Sequence, residues 1–104
     1  MKQLFIFLFS ILISLDSIGN AHLKITTESE YYDNNQIRSK ISYMGRDNNN
    51  SGKAVGEATY WYKNGQIKSK ANYKAGKSNG KTTDWLENGK KIAEKNYNDG
   101  DLVN

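Results

Sequence analysis

Trp61-Tyr62-Lys63-Asn64-Gly65-Gln66-Ile67-Lys68-Ser69-Lys70 is the middle of three variations on one theme. Before it stands Tyr31-Tyr32-Asp33-Asn34-Asn35-Gln36-Ile37-Arg38-Ser39-Lys40, and after it Trp85-Leu86-Glu87-Asn88-Gly89-Lys90-Lys91-Ile92-Ala93-Glu94. The second and third copies are 24 residues apart. The first two are 30 apart because an Asn-rich insertion, Arg46 to Ser51, precedes Gly52. Tails repeat as well: Tyr73 to Gly76 matches Tyr97 to Gly100, and Gly80 precedes Trp85 by the same interval as Gly56 precedes Trp61. Self-similarity at such a period is the mark of a stacked array, whose copies span about 26–52, 56–79 and 80–104.

Each copy carries the signals of a β-hairpin. Asn64-Gly65 and Asn88-Gly89 offer residues tolerant of positive φ between β-prone stretches. Asn34-Asn35 offers the same turn at slightly higher cost, since Asn visits the left-handed region more readily than most residues. After the turn the pattern has period two: Ile37, Ser39, Ile41 and Tyr43 fall on one face, and Arg38, Lys40 and Ser42 on the other. Ile67, Ser69, Ala71 and Tyr73 likewise oppose Lys68, Lys70 and Asn72. The third copy departs from the rule, with Lys91 and Lys95 on the apolar side and Ile92 on the basic one, as a polar terminal repeat of an array requires. With glycine turns at Gly52, Gly76 and Gly100, the expected fold is all-β: a single-layer antiparallel meander of about six strands.

Outside the repeat the composition changes. All three Phe residues lie in the run Leu4 to Leu15, after the cationic opening Met1-Lys2-Gln3 and before the small residues of Gly19-Asn20-Ala21. That is the layout of a secretory signal peptide over 1–21, with cleavage expected after Ala21. A spanning helix needs about 20 apolar residues, so no transmembrane anchor is expected after cleavage. The mature repeat domain is 22–104, and its expected location is secreted or periplasmic. It holds only ten Leu, Ile, Val or Phe residues, but every Tyr and both Trp. Its stability must therefore come from cross-strand aromatic and β-branched pairs, each worth about 0.2–1 kcal/mol, rather than from a separate core. Tyr31, Trp61 and Trp85 should form one aromatic column, Tyr32, Tyr62 and Leu86 a second, and Tyr43, Tyr73 and Tyr97 a third.

The pattern aromatic-Tyr-x-Asn-Gly-Gln-Ile-Lys-Ser, followed by Tyr-Lys-x-Gly-Lys-x-x-Gly, closely resembles the MORN repeat variant, a bacterial relative of the membrane occupation and recognition nexus repeat. The resemblance runs from Tyr31 to Val103 and is most specific at 61–80, where Gly65, Gly76 and Gly80 stand at turn positions. Gly89 keeps the turn in the last copy, whereas Asn35 replaces it in the first. Proteins with this repeat include the YwqK-type antitoxin family. The resemblance implies an elongated sheet of hairpins used for binding, with a protein partner such as a cognate toxin, and it brings no catalytic residue.

Chemistry is scarce in the residues themselves. The chain has no Cys and one His, His22 at the expected new N-terminus, so thiol chemistry, a triad and a zinc site lack their parts. Glycines fall singly at turns rather than in a phosphate loop, and no cofactor or metal is expected. Glu28 with Glu30, and Asp99 with Asp101, share faces at two-residue spacing but read as solvated edges. With 15 Lys and Arg against 11 Asp and Glu, the chain is basic, and Arg38, Lys40, Lys68 and Lys70 recur as a stripe beside Trp61 and Trp85. Such cations keep a thin sheet soluble and discourage edge pairing. They also make a candidate recognition face for an acidic protein or an anionic envelope surface, lipid or polysaccharide. Nucleic acid is not expected as the partner of an exported chain.

Overall fold

The structure, a computed structural model, describes residues 5–15, 21–46 and 52–103. Among the described residues ten strands form one open antiparallel sheet: β1 (Phe5–Leu15), β2 (Ala21–Tyr31), β3 (Ile37–Arg46), β4 (Lys53–Ala54), β5 (Gly56–Trp61), β6 (Ile67–Lys74), β7 (Lys77–Ser78), β8 (Gly80–Trp85), β9 (Lys91–Asn98) and β10 (Asp101–Val103). The order β1-β2-β3-β5-β6-β8-β9-β10 follows the chain, with β4 on β3 and β7 on β6. This is the meander, with more strands than the expected six. Gly56 (φ 72°) and Gly80 (φ 104°) kink the lead-in of the second and third hairpins, so β4 with β5, and β7 with β8, are each one strand bent into two. The stretch expected as a leader supplies β1, which runs antiparallel along the whole of β2 from Phe5 opposite Tyr31 to Leu15 opposite Ala21. Of the insertion, residues 47–51 lie outside the described residues, as do 1–4 and 16–20 of the leader. No helix among the described residues is long and apolar enough to cross a membrane.

Two kinds of turn alternate along the meander. At Tyr62–Gln66 the Gly65 N–H donates to the Tyr62 carbonyl (3.0 Å), the Tyr62 N–H donates to the Gln66 carbonyl (2.8 Å), and only Gly65 has positive φ, 91°. This is a turn closed by a left-handed residue rather than the two-residue reversal that Asn-Gly most often makes. Asn64 stays on the right-handed side, and its Oδ1 accepts the Gln66 N–H at 3.0 Å. Asn35 (φ 67°) and Gly89 (φ 90°) close the equivalent turns. At the opposite edge, Ala75-Gly76 and Asp99-Gly100 have positive φ at both residues, the two-residue hairpin turn whose twist suits the flanking strands.

A bulge recurs in the hairpin of each repeat copy. Tyr60 pairs with Ser69 but Trp61 with Ile67, so Lys68 drops out of register; Arg38 and Ile92 are displaced in the same way. The third copy thus keeps the common register, and its Ile92 occupies the bulge position that Arg38 and Lys68 hold elsewhere. What sequence alternation assigned to a change of face is a substitution at a bulge.

In a one-layer sheet, burial comes only from taller neighbours on the same face. Among the described residues those that are buried are accordingly small: Ala58 and Ala71, opposite one another, with Ser29, Ser39, Thr59 and Thr83. No large side chain among the described residues is fully buried.

Candidate functional site: a sheet with two unlike faces

Following register across the strands separates two rows. Ser29, Lys40, Thr59, Lys70, Thr83 and Glu94 are successive cross-strand partners, short residues alternating with long ones. The aliphatic stems of Lys40 and Lys70 flank Thr59, which is how a threonine becomes buried with no second layer above it. Glu30, Ser39, Tyr60, Ser69, Asp84 and Ala93 form the adjacent row, on the opposite face.

The lysine face carries the two tryptophans. Trp61 and Trp85 end β5 and β8 two residues beyond Thr59 and Thr83, so pleating puts them on the side of Lys40 and Lys70, half-buried. Tyr31 takes the same place in the first copy. Lys81 and Lys91 belong here as well, both paired to Glu94, at 3.2 Å and 2.7 Å. These two lysines, Lys91 first, pull the Glu94 carboxyl below its ordinary pKa. Lys70 lies 3.9 Å from Glu57, a loose pair on an exposed surface. Arg38 and Lys68, expected in the same stripe, are held apart at the bulges. Each cation sits 5.7 Å from the ring centre of the tyrosine that opens its own turn, Tyr32 and Tyr62 respectively. The structure thus divides the four cations into a surface pair, Lys40 and Lys70, and a pair committed to the turns.

Those turns are stitched from copy to copy. The Tyr32 hydroxyl donates to the Trp61 carbonyl (2.7 Å) and Tyr62 to the Trp85 carbonyl (2.8 Å). Asn34 Nδ2 donates to the Lys63 carbonyl (3.3 Å), Asn64 Nδ2 to the Glu87 carbonyl (3.1 Å), and Lys63 Nζ pairs with Asp33 at 2.7 Å. At the opposite edge Gly76 N–H donates to the Ala54 carbonyl (2.9 Å) and Gly100 N–H to the Ser78 carbonyl (2.7 Å). Tyr32 and Tyr62 therefore hold the array together, and this fixes the spacing of Trp61 and Trp85 on the lysine face.

The tyrosine face was less visible in the sequence. Tyr43, Tyr60, Tyr73 and Tyr97 line it, with Glu28, Glu30 and Asp84. Burial pushes the Tyr60 phenol up from its ordinary value, helped by Tyr73, Tyr43 and Glu30. Tyr43 is raised by burial and then by Glu28 and Glu30. Tyr60 belongs to no repeated aromatic column, because its equivalents in the other copies are Glu30 and Asp84. Glu28 and Glu30 do share a face, and that face is this aromatic one. Among the described residues no group of three His, Cys, Asp or Glu side chains could hold a metal ion.

The described residues present two unlike faces of one sheet. Neither a curated protein nor a solved structure matches the chain. The sequence is similar to the MORN repeat variant family at two places, residues 26–44 and 54–75, which fall on the first and second hairpins just described.

Proposed function

We propose that the chain is an exported, non-enzymatic protein-binding module, comparable to the antitoxin or immunity component of a toxin system. The repeat, of a kind that is generally non-enzymatic, supports the binding role. The observation that carries it is the lysine face, where half-buried Trp61 and Trp85 stand at equivalent points of adjacent hairpins, with Lys70 on the strand between them and Lys40 on the strand beyond Trp61. Aromatic anchors ringed by cations suit a protein partner with an acidic patch. An export leader fits neutralisation of a toxin in the periplasm better than in the cytosol.

The test is capture by the domain 22–104 from native lysate, followed by calorimetric titration of the protein recovered. One dominant partner is expected, with Trp61→Ala or Trp85→Ala each weakening binding by about 1 kcal/mol or more. Affinity unchanged from that of the unaltered domain in both variants, or no partner above background, removes the proposal.

A second reading is favoured by the number of lysines on that face, Lys40, Lys70, Lys81 and Lys91 among them. Here the occupant is an anionic lipid or polysaccharide of the envelope. Binding of this kind rests on screened charge and falls steeply with salt. Sedimentation with anionic vesicles that does not change between low and high salt, or never occurs, eliminates it.

A further inference from the structure

The tyrosine face concentrates acid on a chain that is basic as a whole. Across the strands from β2 to β8 one row reads Glu30, Ser39, Tyr60, Ser69, Asp84. Neighbouring strands lie about 4.8 Å apart, so the two carboxylates are about 19 Å apart with Tyr60 midway and only short serines between. Among the described residues no ion pair engages Glu28, Glu30 or Asp84, whereas Asp33, Glu57 and Glu94 each hold a lysine. Lys24 and Lys95 share the face, and neither is paired to these acids. The alanine pair beside the row, Ala58 and Ala71, is 1% and 5% exposed with no second layer above it. Tyr60 and Tyr73 flank that pair on the same face and their phenols interact directly, so the two rings lean over the alanines. Rings laid over a sheet in this way turn a π face outward, and a π face attracts cations.

We propose that the tyrosine face is a second docking surface, which takes a basic segment of a partner protein laid across the strands from Glu30 to Asp84. An extended segment rises about 3.3 Å per residue, so Lys or Arg side chains six residues apart meet the two acids. Cations at the alternate positions between them flank the Tyr60 ring. Charge complementarity selects this occupant, because anionic lipid, nucleic acid and acidic peptide are repelled by the same carboxylates. The surface lies on the reverse of the sheet from Trp61 and Trp85, so it stands independently of the reading given above. Its row begins on β2 and ends on β8, and no residue of β1, β9 or β10 belongs to it.

The test is titration of the full chain into a fluorescently labelled peptide of alternating Lys and Gly, long enough to span the row, read by anisotropy. A chain of net charge +4 repels such a probe overall, so its capture reports a local acidic surface. Glu30→Gln with Asp84→Asn should weaken capture about fivefold or more while the β circular dichroism spectrum is retained. Tyr60→Leu should weaken it as well, and Tyr60→Phe, which keeps the π face, should not. Glu57→Gln with Glu87→Gln removes the same charge elsewhere and should leave the affinity within about twofold, since distant charges are screened. No capture, or equal weakening by the two double variants, overturns the proposal. So does self-association of the unaltered chain that Glu30→Gln with Asp84→Asn abolishes in sedimentation velocity, because the occupant is then the lysine face of a second copy.

Discussion

The hydroxyl of Tyr62 donates to the main-chain carbonyl of Trp85 at 2.8 Å, repeating at one copy's remove the bond from Tyr32 to Trp61. Each copy's second aromatic is thus the fastener for the first aromatic of the next. Leu86 stands at this position in the last copy and has no hydroxyl to pass on. Tyr32→Phe and Tyr62→Phe keep the ring and remove only the fastener, so each should lower unfolding stability by about 0.5–1.5 kcal/mol. Urea midpoints measure this. A Tyr62→Phe midpoint equal to that of the unaltered chain would show that stacking, not the hydrogen bond, joins the copies.

The turn closures predict a split between chemically similar positions. Gly65 has φ 91°, a conformation that costs a residue with a Cβ about 1–2 kcal/mol. Gly65→Ala should destabilise by that amount. Asn35→Gly, at φ 67°, trades a small strain for greater freedom of the unfolded chain and should stay within about 0.5 kcal/mol of the starting protein. Parallel denaturation curves for the two variants check the pair.

Alkaline pH should weaken the fold through the tyrosine face. Tyr60 and Tyr43 are both raised above 10.0, by burial first and then by neighbouring phenols and Glu28 or Glu30. The folded state holds a proton that the unfolded chain releases near pH 10. The contribution is therefore complete below pH 10 and is lost as pH rises through the folded values. Melting temperatures followed upward from neutral pH should fall beyond that point, and Tyr60→Phe should shallow the fall. An identical decline in the variant would place the sensitivity elsewhere.

Glu94 has the opposite sign. Its carboxyl, hydrogen-bonded by Lys91 and then Lys81, is lowered from 4.5, so its contribution is present above that value and disappears as pH falls through the folded value. The group is solvent-exposed and the effect is small and salt-sensitive. Glu94→Gln should melt slightly below the unaltered protein at neutral pH, and the two curves should merge in acid or in high salt. A gap that persists under both conditions would mean that Glu94 acts through packing rather than charge.

Much of the architecture was legible in the chain because a repeat states its geometry several times. Asn-Gly turns, aromatic pairs and period-two strands fixed an all-β meander, and the poverty of aliphatics excluded a second layer. Register with one displaced residue was not legible. Lys68 continues the alternation in sequence, and only pairing across to Trp61 reveals that it has left the ladder. For the same reason Ile92 looked misplaced, and Arg38 and Lys68 looked like partners of Lys40 and Lys70 on an open surface rather than covers for Tyr32 and Tyr62.

The amino-acid order by itself determined the hairpins, since turn chemistry and side-chain alternation act over a few neighbouring residues. The tertiary structure decided which side chains from separate hairpins share a row: Lys40 beside Thr59, Tyr60 beside Ser39, Trp85 within reach of Tyr62. Those adjacencies depend on the stagger between strands, which is set by bulges and by hydrogen bonds reaching from one copy to the next. No local preference encodes that stagger, because it is a property of the pair and not of either strand.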